Sequence, residues 1–175
     1  MIRTRHALVL ASALLVGACD EPTATQLHQH EVDAVMTSHD ARTSDLLMMV
    51  RRETARFHST EQARAAGYVP TAHCVASPLG GMGQHWANPQ LIDPVFDPAR
   101  PEVMLYEPRL NGEPRLVAIE YIVLNVGQAH PHFDGRPFDV GGTPTPVPHW
   151  SLHVWLYRDN PNGIFTPFNP TVSCS

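Results

Sequence analysis

Apolar and polar positions alternate in three segments of the second half of the chain, and this alternation predicts β-strands. The segments are PEVMLYEP at 101–108, PRLVAIEYIVL at 114–124 and WSLHVWLYRD at 150–159. In the middle segment both alternating sets of positions are mainly apolar, which is typical of a strand buried on both faces. We therefore expect a sheet with this segment near its centre.

Helical periodicity marks residues 41–67. Ser44 is predicted to cap a helix whose apolar stripe follows at helical spacing: Leu46, Leu47, Val50, Thr54 and Phe57. Ser59 and Gln62 resemble a capping box for a second short helix, which Gly67 would end. The predicted fold class is α+β, with N-terminal helices packed on a mainly antiparallel sheet and with long loops rich in proline and glycine.

The Asn-Gly pair at 111–112 is a strong signal for a two-residue hairpin loop between the first two strands. Such a loop would place Val103 opposite Glu120 and Glu107 opposite Leu116. Because residues paired across neighbouring strands face the same side, this register puts the two glutamates on one face of the sheet.

The N-terminus predicts export from the cell. Arg3 and Arg5 precede a short apolar run at 7–16, as in a signal peptide. The following LVGAC, which ends at Cys19, resembles the lipobox of bacterial lipoproteins. That resemblance implies removal of residues 1–18 and acylation of Cys19. The mature protein is then expected to be anchored to a membrane, with its domain in the periplasm or outside the cell.

The remainder of the chain is expected to form one domain behind a tether. Residues 19–40 are polar and lack a sustained apolar face, which predicts a flexible tether, and residues 41–175 form a single domain. The net charge is −5 without basic clusters, so we do not expect nucleic acid as a partner. A stretch at 128–148 is predicted to be a functional loop, too polar for the core.

Two cysteines remain once Cys19 is assigned to the lipid. In an oxidising compartment, Cys74 and Cys174 are expected to form one disulfide that fixes the end of the chain. The alternative is a thiolate metal site, although the two cysteines lack the short spacing of typical zinc ligands.

Glu120 is the most informative residue for function because alternation places it inside the sheet. It shares one face of its predicted strand with Ala118 and Ile122, and the opposite face is apolar as well. Burial of a carboxylate is costly unless it is paired, hydrogen-bonded, protonated or bound to a metal. The alternative to a functional role is a structural ion pair with an arginine.

Two histidines would complete a metal site with Glu120. His153 lies among large apolar neighbours on the third strand and meets Glu120 if the polar faces of the two strands align. His85 follows the glycine-rich run 80–83 and is expected on a loop that turns tightly against the site. His85, Glu120 and His153 are therefore predicted to bind zinc or another divalent metal, with open positions for water or substrate. No catalytic residue can be assigned.

Other acidic and histidine side chains are weaker candidates. Glu107 shares the face of Glu120 but lies about 13 Å away along the strand, at ~3.3 Å per residue. It is predicted to support the ligands indirectly, to line the edge of the site or to pair with an arginine. His130, His132 and Asp134 have a spacing compatible with a metal, within the predicted loop.

Several segments look like those of a family of exported bacterial proteins. They are AAGYVPTAHCVA, GGMGQHW, PEVMLYEP, VAIEYIV and SLHVWLYRDNPNGIFTPFNPTVSC, within about residues 45–175. The resemblance implies that these segments form one unit, and it carries no assigned activity. Two hypotheses follow: a membrane-anchored domain whose metal binds or acts on a small molecule, and a non-enzymatic envelope module whose buried His and Glu only organise the core.

Overall fold

The structure is a computed structural model that describes residues 24–71, 73–110, 112–141 and 147–174. The predicted signal peptide (1–18) and the predicted lipidation site Cys19 lie outside the described residues. None of the described helices is both long and apolar enough to cross a membrane. The chain divides into two compact units between Thr37 and Ser38, and the second unit contains the sheet and the candidate site.

The first helix, α1 (Ala24–Thr54), begins well before the predicted helical region. The prediction that Ser44 is an N-cap is therefore wrong, because this residue lies in the interior of the helix. The part of the predicted tether that the structure describes is helical as well. Its polar sequence contains neither proline nor glycine after Ala24, so nothing in it breaks a helix.

A short 3-10 turn (Ala55–His58) leads into α2 (Thr60–Ala65). The Ser59 side chain accepts a hydrogen bond from the backbone N–H of Gln62, which confirms the predicted cap of this helix. Gly67 follows α2 with φ +95°, a conformation that favours glycine after a helix.

The described elements that follow α2 are β-strands. The described strands are β1 (Val69–Pro70), β2 (Val75–Ser77), β3 (Gly80–Ala87), β4 (Val103–Glu107), β5 (Arg115–Leu124), β6 (His132–Phe133), β7 (Arg136–Pro137), β8 (Asp139–Val140) and β9 (His149–Val154). One antiparallel sheet has the order β1-β3-β4-β5-β9-β8, with β2 also paired to β3, and β6 pairs with β7 separately. The α+β class, the mainly antiparallel sheet and the internal position of β5 agree with the sequence analysis.

The β4–β5 register is partly as predicted. Val103 pairs with Glu120, but Glu107 pairs with Arg115 and not with Leu116. The register shifts by one residue because β5 carries a bulge between these two pairs. The predicted two-residue hairpin loop is also wrong, because the strands end at Glu107 and Arg115 and a longer connection joins them.

Each face of the sheet has its own buried core. The first face packs with α1 and the 3-10 turn, and its core includes Val50, Phe57, Trp86, Met104, Tyr106, Ile119 and Val154. The second face carries a smaller core: Ala87, Val103, Leu105, Val117, Ala118, Ile122, Trp155 and Val172. Val103 pairs with Glu120, which pairs with His153, so Glu120 and His153 lie on the second face.

The proline- and glycine-rich stretch 128–148 contributes more to the core than its composition suggested. It contains β6, β7 and β8, and both Phe133 and Phe138 are buried. These rings pack with Phe96 and Tyr121. The prediction that this stretch is too polar for the core is therefore wrong for its two phenylalanines.

The end of the chain, residues 163–174, forms an irregular segment that we call the C-terminal strap. The backbones of Asn169 and Gly81 exchange two hydrogen bonds, of 3.0 and 3.1 Å. The Sγ atoms of Cys74 and Cys174 lie 2.05 Å apart, as the predicted disulfide requires. The strap is thereby attached to β3 and to the segment that precedes β2.

Candidate metal centre

Three strands of one sheet bring together His85, Glu120 and His153. Glu120 on β5 lies directly opposite His153 on β9. His85 does not lie on a loop, as predicted, but on β3, separated from β5 by β4. Strands on either side of a central one are about 10 Å apart. The side chains of His85 and Glu120 are long enough to meet across β4, in which Leu105 pairs with His85 and Val103 pairs with Glu120.

The ligand atoms of the three side chains are close together. His85 Nε2 lies 3.4 Å from Glu120 Oε2, and His153 Nε2 lies 3.8 Å from Glu120 Oε1. One ligand atom from each residue can be chosen so that all lie within 4.8 Å of one another. Ligands of a tetrahedral zinc ion are about 3.4 Å apart. The first distance already fits, and the others require small inward movements of the imidazoles.

The site is dry and contains polar atoms that lack partners. Only 4% of His85, 3% of Glu120 and 5% of His153 is exposed to solvent. Glu120 Oε2 and His153 Nε2 are buried without a hydrogen-bond partner. His85 Nε2 lies 3.4 Å from Glu120 Oε2, but this contact does not have hydrogen-bonding geometry. A buried polar atom left in this way costs about 1–3 kcal/mol. A cation between the three side chains would bind both of these atoms.

Burial also sets the protonation of the three groups. It lowers the pKa of His85 to about 4. It lowers the pKa of His153 to about 3, with a smaller contribution from the charge of His85. Burial raises the pKa of Glu120 to about 8, against the opposing effect of a hydrogen bond from Ser151. Without a cation all three groups are neutral at pH 7, and both imidazoles retain a lone pair for a metal.

Ser151 is a site residue that the sequence analysis did not identify. It lies on the strand next to Glu120, and its hydroxyl group lowers the pKa of the Glu120 carboxyl group against the effect of burial. Polar groups next to a ligating carboxylate commonly support it in metal sites. Ser151 could have been found from its position two residues before His153, because this spacing places both side chains on one face of β9.

The structure shows Glu107 in contact with the C-terminal strap. Its carboxylate accepts a hydrogen bond from the backbone N–H of Ser173 at 3.1 Å, and so it holds the C-terminal strap. None of the three predicted roles of Glu107, namely indirect support of the ligands, the edge of the site or an arginine partner, describes this contact. Within the described residues Glu120 forms no ion pair with an arginine. The ionisable side chains next to its carboxyl group are His85 and His153.

The histidines of the 128–148 stretch have structural partners. His130 Nε2 lies 2.8 Å from Phe138 O, and His132 Nδ1 lies 2.9 Å from His130 O. Asp134 accepts a hydrogen bond from Thr43 of α1. Within the described ranges, His85, Glu120 and His153 form the only group of three such side chains that could hold a metal ion.

The interpretation of this site depends on the geometry of the chain itself. Comparison with protein-family models, with curated protein sequences and with solved structures finds no match for the chain. A proposed function therefore depends on the cluster of two imidazoles and one carboxyl group. In its chemistry the set is a nitrogen- and oxygen-donor site of the kind that zinc and other divalent transition metals prefer.

Proposed function

We propose that this chain is an exported, membrane-anchored lipoprotein whose domain binds a divalent transition-metal ion, zinc first among the candidates, between His85, Glu120 and His153. The observation that carries the proposal is the pair of buried, unpartnered atoms Glu120 Oε2 and His153 Nε2, within reach of His85. Polar atoms of buried groups are normally satisfied, so an unsatisfied pair at ligand distance points to an ion.

Charge supports the same conclusion. The second face places a carboxyl group among apolar side chains, and the described residues offer it no arginine. A divalent cation would stabilise the ionised form of Glu120, which burial otherwise disfavours. Binding would then release about one proton from Glu120, because its pKa lies near 8 in the absence of the ion.

Three protein ligands leave at least one coordination position for water or for a small ligand. A metal-bound water at such a position could act on a small substrate, so metal-assisted chemistry is an extension of the proposal. Any such substrate has to be small, because the ligands are almost completely buried. The membrane anchor, the oxidising compartment and the envelope location come from the LVGAC segment and the paired cysteines, not from the site.

A second candidate is a non-enzymatic envelope module in which these residues only organise the core. It is favoured by one observation: burial shifts the pKa values so that all three groups are neutral at pH 7 without an ion. Such a neutral cluster needs no counter-ion. It leaves two buried atoms unsatisfied, however, and this is why metal binding is the better proposal.

Metal content and metal affinity test the proposal. The full chain, purified without a histidine tag, is expected to hold close to one zinc-like ion per chain by elemental analysis. His85→Ala, His153→Ala and Glu120→Gln are each expected to weaken zinc binding at least about tenfold, equivalent to about 1.4 kcal/mol. Zinc should raise the melting temperature of the wild type by mass action, and it should do so less for each variant.

His149→Ala is the matched control. His149 is a buried histidine on the same strand as His153, but its ring nitrogen Nδ1 lies 2.8 Å from Val147 O and it does not belong to the cluster. Its loss removes a buried imidazole without removing a ligand, so zinc affinity should be retained. If the wild type melts identically with chelator and with zinc, manganese or copper, the metal proposal fails and the structural module replaces it.

A further inference from the structure

The C-terminal strap packs on the face of the sheet that carries His85, Glu120 and His153. At one end of the strap, the carbonyl groups of Ile164 and Thr166 accept hydrogen bonds from the backbone and the indole N–H of Trp155, at 2.9 and 2.6 Å. Trp155 is buried in the core of the second face, two residues beyond His153. At the other end Val172 joins the same core, over Gly81 of β3.

The distal part of the strap is joined to the sheet by the bridge between Gly81 and Asn169 and by the Ser173–Glu107 hydrogen bond. Its further non-covalent contacts include hydrogen bonds that involve side chains, formed with Arg158, Asp159 and Asn160 in the segment that follows β9. The strands beneath it are held by continuous ladders of paired residues. Segments with few backbone hydrogen bonds open at lower free energy than paired strands. The strap is therefore the part of this face that can detach first.

The disulfide opposes that detachment. Cys174 is bonded to Cys74, which precedes β2, so the end of the strap stays fixed to the sheet even when its hydrogen bonds break. Because the disulfide is covalent, water cannot compete for it as water competes for the hydrogen bonds of the strap. Cleavage of the disulfide leaves Val172 as the principal apolar anchor of the distal strap.

We propose that the C-terminal strap gates the exchange of the bound metal, and that the Cys74–Cys174 disulfide keeps this gate closed. The inference rests on the proposed metal function and adds its regulation. With the disulfide formed, the ion exchanges slowly because His85, Glu120 and His153 stay covered. With the disulfide reduced, the strap opens more often and the ion is released and reloaded faster.

The redox step is thiol–disulfide exchange with a dithiol reductant. A thiolate of the reductant attacks one sulfur of the disulfide and forms a mixed disulfide, and the second cysteine leaves as a thiolate and takes up a proton. The second thiol of the reductant then attacks the mixed disulfide. Two electrons pass to the protein, which gains two thiols, and the reductant becomes a disulfide.

The rate of zinc release to excess chelator tests the gate. Release from the full chain is measured for the wild type and for the Cys74→Ser/Cys174→Ser variant, because free thiols and thiol reductants would themselves bind the metal. We expect release from the serine variant to be at least tenfold faster. Gly81→Ala provides a second route with the disulfide intact, since its Cβ would lie 2.8 Å from Val172 O and displace the strap. It should also accelerate release.

Val50→Ala is the matched control for general loss of stability. Val50 is fully buried on the first face, away from the strap, so this variant should lower the melting temperature but leave the release rate close to that of the wild type. Zinc binding with equal release rates in the wild type, the serine variant and Gly81→Ala overturns the gate and leaves the metal function intact. Acceleration by Val50→Ala equal to that of Gly81→Ala also overturns the gate. Absence of zinc binding in every form overturns both proposals. If the serine variant does not fold, Gly81→Ala decides the question.

Discussion

At the scale of the residue, this domain is distinguished by buried polar side chains that apolar neighbours surround. His85, Glu120 and His153 form one such set, and Glu102 is another buried carboxyl group that the sequence analysis did not single out. Glu102 accepts a hydrogen bond from the backbone N–H of Ile122 at 3.0 Å, and it lies immediately before Val103, the first paired residue of β4. Its carboxyl group therefore accepts a hydrogen bond from a backbone N–H group of β5 at a position where β4 is no longer paired with β5.

Glu102 predicts a pH dependence of stability. Burial raises its pKa to about 8, and nearby Asp93 and Glu120 add to this, while hydrogen bonds from the backbone oppose it. The folded protein then retains a proton that the unfolded chain loses above its ordinary pKa of 4.5. The contribution of Glu102 to stability is therefore greatest below pH 4.5 and decreases as the pH rises to about 8.

Glu102→Gln should flatten this dependence. The variant keeps an acceptor for Ile122 but has no proton to lose, so its free energy of unfolding should decrease less between pH 5 and pH 8. For one fully shifted group the difference reaches about 1.4 kcal/mol per pH unit. Urea unfolding in the presence of a chelator measures this without a contribution from bound metal. Equal slopes for the variant and the wild type would contradict the assigned protonation of Glu102.

At the scale of the element, the glycine run of β3 serves the C-terminal strap. A Cβ atom at Gly80 would lie 2.3 Å from Asn169 O, and one at Gly81 would lie 2.8 Å from Val172 O. The glycines thus allow the strap to approach the strand, whereas the sequence analysis assigned them to a loop around His85. The first half of β3 receives the strap, and its second half carries His85 of the candidate metal centre.

Gly80→Ala and Gly112→Ala form a matched pair that tests this interpretation of β3. Both glycines have positive φ angles, +122° and +131°, which are strained for alanine at a cost of about 1–3 kcal/mol. A Cβ atom at Gly112 would meet no other atom within 4 Å, whereas one at Gly80 would meet the backbone of Asn169. Gly80→Ala should therefore lower the free energy of unfolding by at least ~1 kcal/mol more than Gly112→Ala does, through overpacking. Equal losses in urea unfolding would show that the strap does not need the close approach.

At the scale of the whole molecule, a single sheet separates two environments. The first face carries the larger core, together with the end of α1 around Val50 and the 3-10 turn, and the second face carries the candidate metal centre. A buried polar cluster destabilises the core that contains it unless an ion satisfies it. Most of the apolar packing therefore lies on the first face, and the second face contains the candidate site.

The proposed lipid anchor would be a property of the whole molecule, and a single substitution tests it. Cys19→Ser removes the predicted acylation site, and with it the buried methylenes that contribute about 0.8 kcal/mol each to membrane attachment. The protein should then move from the membrane fraction to the soluble fraction on fractionation of the producing cells. Cys174→Ser is the control, because it removes a different cysteine and should leave the protein in the membrane fraction. Persistence of Cys19→Ser in the membrane fraction would refute the lipoprotein proposal.

The local sequence pattern was sufficient to predict which face of its strand Glu120 and His153 occupy. Alternation within 114–124 placed Glu120 on a buried face, and alternation within 150–159 gave His153 the orientation to meet it. The cap at Ser59 and the pairing of the two cysteines that remain after Cys19 were likewise predictable. These are local properties, because the side-chain direction in a strand follows a two-residue period and a helix cap involves residues three positions apart.

The way in which distant segments combine could not be predicted from the sequence and followed from the three-dimensional fold. His85 reaches Glu120 because β3 lies next to β4 and β4 next to β5, and no spacing along the chain encodes that order. The bulge in β5 moved Glu107 out of its predicted register, and the path of the strap gave it a different partner. Strand order, bulges and the position of the strap depend on contacts between residues far apart in the chain, which a local pattern of apolar and polar positions does not contain.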